Sequence, residues 1–186
     1  FGYLPYIAGT IFLLGSVVRF DMSQYTWKTN SSQLLDSSRR FRIANILFHV
    51  GIIALFFGHL IGLLMPPSWY AFFGLTAGGK QVLAMTAGGI FGVICLIGML
   101  MLLHRRLTNV RVRAHSQPMD HFILILLFFQ LTLGLGTIFV SVEHLDGSVM
   151  LMLSEWAQRI VTFQGGAAEA IANVHWIYKA HIFLGL

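Results

Sequence analysis

Two histidines, His49 and His59, lie inside residues 43–65, a run of 23 residues with no formal charge. An imidazole within hydrocarbon is costly, so an intramembrane histidine usually has a partner such as a proton, a substrate or a metal. Ten residues of helix separate the two rings by roughly 15 Å along the axis and turn them by about 80°. That separation suits two porphyrins stacked across a membrane better than two ligands on one ion. A hydrogen-bonded core histidine is the plain alternative for either residue alone, but both would then need polar partners at depth, and the run offers only Asn45 near its end.

At 1.5 Å rise per residue, this run is long enough to cross a bilayer. The whole chain fits such a setting: 186 residues are 56% hydrophobic and only 10% charged, with a mean hydropathy of +0.76. Soluble domains carry about a quarter charged residues. Long unbroken apolar runs also exclude a closed β-barrel, whose strands alternate over short segments. The net charge of +5 is no sign of nucleic-acid binding, because the cations sit between apolar runs and act as topology determinants. The single cysteine, Cys95, lies in an apolar run and reads as a small core residue.

The expected fold is all-α, one integral membrane helical bundle of five transmembrane helices with the fifth truncated. The spans cover about 3–18, 43–65, 82–104, 119–142 and 174–186. Pro5 is tolerated in the first turn, Arg19 closes the first span, and Pro66-Pro67 ends the second. Ala84, Gly88 and Gly92 form a small-residue face on the third, suited to close helix approach or to a flat ring. The fourth carries Gly134 and Gly136. Met152, Trp156, Ile160 and Phe163 recur at helical spacing, which predicts a short helix lying in the membrane interface. Both ends of the chain read as cut, and no charged n-region with a cleavage site is seen.

Nine of the twelve Lys and Arg fall in the first and third connections. By the positive-inside rule these face the cytoplasm, which leaves the N-terminus outside. His59 then lies in the outer half of the membrane and His49 in the inner half. His181, one to two turns into the descending fifth helix, reaches a depth at which it can meet His59 across one haem iron. Axial ligation by two histidines fills both open positions and suits electron transfer. His49 lacks a visible partner; His104 and His121, at the cytoplasmic helix ends, are the candidates within the chain. His115 and His144 read as surface residues, and His175 as a surface residue off the ligand face.

These residues lie in motifs that span nearly the whole chain. They are Pro5-Tyr6-Ile7-Ala8-Gly9, Gln24-Tyr25-Thr26-Trp27, Leu47-Phe48-His49-Val50-Gly51, Gly58-His59, Lys80-Gln81 and Ala87-Gly88-Gly89. Arg105-Arg106-Leu107, Arg111-Val112-Arg113-Ala114, His144-Leu145-Asp146-Gly147-Ser148, Val161-Thr162-Phe163 and His181 with Gly185 continue the pattern. Together they resemble the gamma subunit of respiratory nitrate reductase, a dihaem cytochrome b anchor of the bacterial inner membrane. The resemblance implies that His59 and His181 ligate the outer haem b and His49 the inner one, whose other ligand lies late in the fifth helix, beyond the visible chain. It further implies oxidation of ubiquinol or menaquinol near the outer haem, with Lys80 at the quinol site and Gly58 close by. Electrons would pass to an iron-sulfur beta subunit and then to a molybdenum alpha subunit that reduces nitrate. Two other readings stay open: a quinol-oxidising anchor of a different cytoplasmic reductase, and a haem-free anchor or transporter in which His49 and His59 relay protons.

Overall fold

A computed structural model describes residues 1–26 and 35–186; the expected motif residue Trp27 and the topology residue Lys28 lie outside the described residues. Every regular element among the described residues is helical. Among the described residues, four helices are long and apolar enough to cross a membrane: α1 (Leu4–Ser23, continued by a 3-10 turn at Gln24–Thr26), α2 (Arg39–Leu64), α4 (Ala77–Thr108) and α6 (Pro118–Ser141). Between and after them stand α3 (Pro67–Phe72), α5 (Val110–Ala114), α7 (Ser148–Val161), α8 (Ala167–Ala170) and α9 (Trp176–Gly185). α9 has 10 residues, about 15 Å of helix, half the thickness of a hydrocarbon core.

Local chemistry sets the boundaries. The Ser38 hydroxyl accepts the Phe41 N–H at 3.3 Å to start α2, and the Thr76 hydroxyl accepts the Gly79 N–H at 3.1 Å to start α4. α6 opens with Pro118 and a reciprocal cap in which the Gln117 N–H donates to Asp120 at 2.9 Å. Gly147, at φ 84°, turns the chain into α7 where a Cβ would run into the backbone of Ala77 and Gly78. α1 runs five residues past the expected end at Val18. Arg19 and Asp21 mark where a hydrocarbon layer must stop, but neither breaks a helix.

α4 is the central element, packed on α2 and on α6. The closest approach to α2 occurs at Gly51, where a Cβ would stand 2.5 Å from the Cβ of Cys95, and at Gly98, which abuts the backbone of Ala44 and Phe48. On the expected Ala84, Gly88, Gly92 face the close helix approach is made by Gly92, toward α6, while Gly51 and Gly98 join α2 to α4. Gly92 meets Leu135 of α6, Gly88 faces open space, and Ala84 is exposed. Cys95 and Met99 are fully buried with Leu131 in one core, as expected for a small core cysteine. A second core gathers Val149, Trp156, Ile171, Val174 and Tyr178. Large apolar side chains such as Phe12, Ile53 and Phe139 point outward, as a lipid-facing surface requires.

The amphipathic helix expected around Trp156 exists as α7, but its apolar face turns inward. Trp156 and Ala157 are buried and pack toward Leu63 and Leu64 of α2. Phe163 does not continue that face. The helix ends at Val161, Phe163 takes φ 57°, and its ring stacks on Tyr6 of α1 at 5.6 Å. The Gln164 N–H bonds back to the Arg159 carbonyl at 2.8 Å, and the Arg159 guanidinium holds the Gly165 carbonyl at 2.7 Å, so the chain folds over the helix end. α1 buries no residue; its first turns meet α7 through the Tyr6 hydroxyl, which donates to the Ile160 carbonyl at 3.0 Å.

At the arginine-rich end, two of the four third-connection arginines form ion pairs among the described residues. Arg105 Nε lies 2.9 Å from the Asp36 carboxylate with its guanidinium over the Phe41 ring. Arg106 reaches Asp120 at 3.1 Å and the Ser116 hydroxyl at 2.9 Å. The Arg105 hydrogen bond, aided by the Ser38 N–H, holds the Asp36 carboxyl below its ordinary pKa.

Candidate functional site

His49 and His59 project from α2, and both use the same local device. His49 Nδ1 lies 2.8 Å from the Asn45 carbonyl and His59 Nδ1 lies 2.7 Å from the Leu55 carbonyl, each one turn earlier. A carbonyl can only accept, so Nδ1 carries the proton and Nε2 keeps its lone pair. This answers the need for polar partners at depth without any polar side chain. His181, on α9, has its Nδ1 3.1 Å from the Gln130 carbonyl of α6 and so takes the same tautomer.

The fold brings His59 and His181 together. Their ring centroids stand 6.1 Å apart with planes tilted by 42°. Two imidazoles on opposite sides of one metal ion, each about 2 Å from it, place their centroids roughly 6 Å apart. The donor set, its tautomers and its spacing therefore fit a bis-histidine haem. Outside each helix's own backbone, no atom lies within 4 Å of where a Cβ would stand at Gly58, Gly62 or Gly88.

His49 is exposed and stands apart from that pair. His121 bonds the Gln117 carbonyl at 3.2 Å at the start of α6, and His104 is exposed near the end of α4. His175 serves a structural role, accepting the Ile177 N–H at 3.4 Å to cap α9; in that bond Nδ1 is the acceptor, the reverse of His49, His59 and His181. His115 and His144 are exposed, as expected of surface residues.

Lys80 does not reach out to water. It is 7% exposed, its ammonium lies 3.5 Å from the Met65 carbonyl at the end of α2 and 4.6 Å from the centroid of the buried Tyr70 ring. Gln158 of α7 donates to the same Met65 carbonyl at 3.4 Å and to that of Leu63 at 3.2 Å. Next in the chain, the buried Gln81 amide donates to the Ser141 and His144 carbonyls, while its Oε1 has no partner among the described residues. The aromatic connection 66–81 thus folds as α3 over a buried cation. Tyr70, Met65 and Gln158 were not legible as parts of this site, because no short-range pattern joins contacts whose partners lie 10 to 93 positions apart.

Over its full length, residues 1–186, the chain matches the family model described as nitrate reductase gamma subunit. The chain belongs to the nitrate reductase gamma subunit family. It is 50% identical to the respiratory nitrate reductase 2 gamma chain of Escherichia coli K12 over 98% of this chain and 80% of that one. Identity to the respiratory nitrate reductase 1 gamma chain of the same organism is 48%, over 100% and 82%. A more distant relative, the Hdr-like menaquinol oxidoreductase cytochrome b-like subunit of Archaeoglobus profundus, is 31% identical over 73% of this chain and 39% of its own length. As a gamma-family chain, it is a membrane-anchor component of an oxidoreductase complex.

Proposed function

We propose that this gamma-family chain is a cytochrome b that oxidises quinol near the outer membrane face and passes electrons inward to a nitrate-reducing partner. The observation that carries the reading is the facing pair His59 and His181, 6.1 Å apart with both Nδ1 atoms tied to backbone carbonyls. His59 and His181 hold the outer haem b, and His49 supplies a ligand to the inner one. When bound, haem would supply a one-electron carrier at these histidines. Hydrogen bonding at Nδ1 fixes each ring and raises the basicity of Nε2.

Quinol oxidation releases two protons with its two electrons, so the site needs a polar group at a quinol oxygen and an exit for protons. Lys80 supplies the first: buried between Met65 and Tyr70, it can donate a hydrogen bond without competition from bulk water. Gly58, one residue before His59 and open around its Cα, leaves room for a flat ring beside it. In this reading Arg39, Arg40, Arg42 and the Arg105–Arg113 stretch face the cytoplasm and the N-terminus faces the periplasm of a bacterial inner membrane. α9 forms the start of a fifth span. The partners are an iron-sulfur beta subunit and a molybdenum alpha subunit, and the substrate is ubiquinol or menaquinol.

The archaeal relative, whose name includes menaquinol oxidoreductase, favours a second reading in which the same quinol-oxidising anchor serves another reductase. Purified membranes separate the three possibilities. Quinol should reduce a b-type chromophore that nitrate then reoxidises, with a molybdenum subunit co-purifying. Reoxidation by a different acceptor would assign the chain to another reductase, and a folded protein with no haem absorption would leave the histidine proton relay.

A further inference from the structure

The His181 imidazole lies in a seat formed by α6. The Gln130 carbonyl takes its Nδ1 at 3.1 Å, and the ring lies over Gly134 one turn along. A Cβ on Gly134 would stand 2.9 Å from Cε1, 3.4 Å from Nε2 and 3.5 Å from Nδ1 of His181. The three atoms nearest to that Cβ thus belong to one ring. Contacts below 3.0 Å force a shift, and an imidazole is rigid and already tethered at Nδ1, so a methyl group here moves the ring or its helix. Gly136 offers an internal comparison on the same pair of helices. A Cβ there meets Ile177 Cδ1 at 2.8 Å, the far end of a flexible side chain that can rotate away.

We propose that Gly134 is a positioning residue for the haem held by His59 and His181: its bare Cα seats the His181 imidazole opposite His59. This rests on the haem reading above. The orientation of axial imidazoles and their outer-shell contacts tune the electronic structure and potential of a haem iron, so the seat sets those properties for one haem and not the other.

The test uses membranes carrying the assembled full-length protein, with Gly134→Ala, Gly136→Ala and His181→Gly variants beside the parent. Low-temperature electron paramagnetic resonance and redox titration are the readouts. Gly134→Ala is expected to shift the low-field g value and midpoint potential of the haem that His181→Gly abolishes, with the other haem unmoved and Gly136→Ala unchanged. An unchanged g value and potential in Gly134→Ala, or equal shifts in both alanine variants, would overturn the seat. If Gly134→Ala fails to assemble, it is combined with His181→Gly and supplied with free imidazole. Recovery of assembly then supports a clash with the tethered ring, and continued failure overturns it. A parent whose haem signals all survive His181→Gly would instead defeat the underlying ligand reading.

Discussion

His59 of α2 and His181 of α9 stand with their rings 6.1 Å apart, although 122 residues separate them in the chain (181 minus 59). Each is fixed through Nδ1 by a backbone carbonyl, one from its own helix and one from α6. α6 therefore acts as the strut that holds His181: Tyr178, one turn before His181 on α9, donates to the Thr137 carbonyl at 3.2 Å and pairs with the Ser141 hydroxyl at 2.6 Å.

Lys80→Met keeps the length of the side chain and removes its charge. In the proposed quinol site, losing a charge-assisted hydrogen bond of about 1.5–3 kcal/mol should lower kcat/KM roughly ten- to a hundredfold. Haem content and spectra should be unchanged. Quinol-driven reduction kinetics at constant haem check this, and parent-like rates would remove Lys80 from the quinol site.

Gly98→Val places a branched side chain against the backbone of Ala44 and Phe48, where no flexible neighbour can give way. Overpacking of this kind costs about 1–3 kcal/mol or more. For a chain of this size that lowers the thermal midpoint by roughly 2–4 °C per kcal/mol. The corresponding change at Gly88, which faces open space, leaves the α2–α4 contact intact, so thermal unfolding in detergent should separate the two.

The Asp36 carboxyl is held below its ordinary pKa chiefly by the Arg105 hydrogen bond. A depressed folded pKa means that this stabilisation is present above the unfolded value of about 3.9 and is lost as pH falls through the folded value. Asp36→Asn should therefore reduce the loss of thermal stability on acidification below about pH 4 while changing the neutral-pH midpoint little. An identical acid profile in parent and variant would show that this pair does not couple folding to pH.

The membrane helices were legible because apolar runs of about 20 residues have few alternatives, and the histidines because their residue type is out of place in such runs. Helix ends were less so: α1 and α4 continue as polar turns past the hydrocarbon limit, where hydropathy carries no signal. The inward face of α7 was missed because the spacing of Met152, Trp156 and Ile160 shows that a helix has an apolar side, not what covers it. Gly98 was passed over for a similar reason, since Gly88 and Gly98 look alike in sequence and only packing distinguishes them. The Gln130 carbonyl beneath His181 was invisible, because any residue supplies a carbonyl.

Haem content per chain, with optical redox difference spectra of the parent and of His59→Ala, His181→Ala and His49→Ala variants, tests the central claim most directly. Loss of the same b-type component in His59→Ala and His181→Ala, with a different component lost in His49→Ala, is the predicted result. Full retention of that component in either His59→Ala or His181→Ala would contradict the pairing of these two residues on one haem.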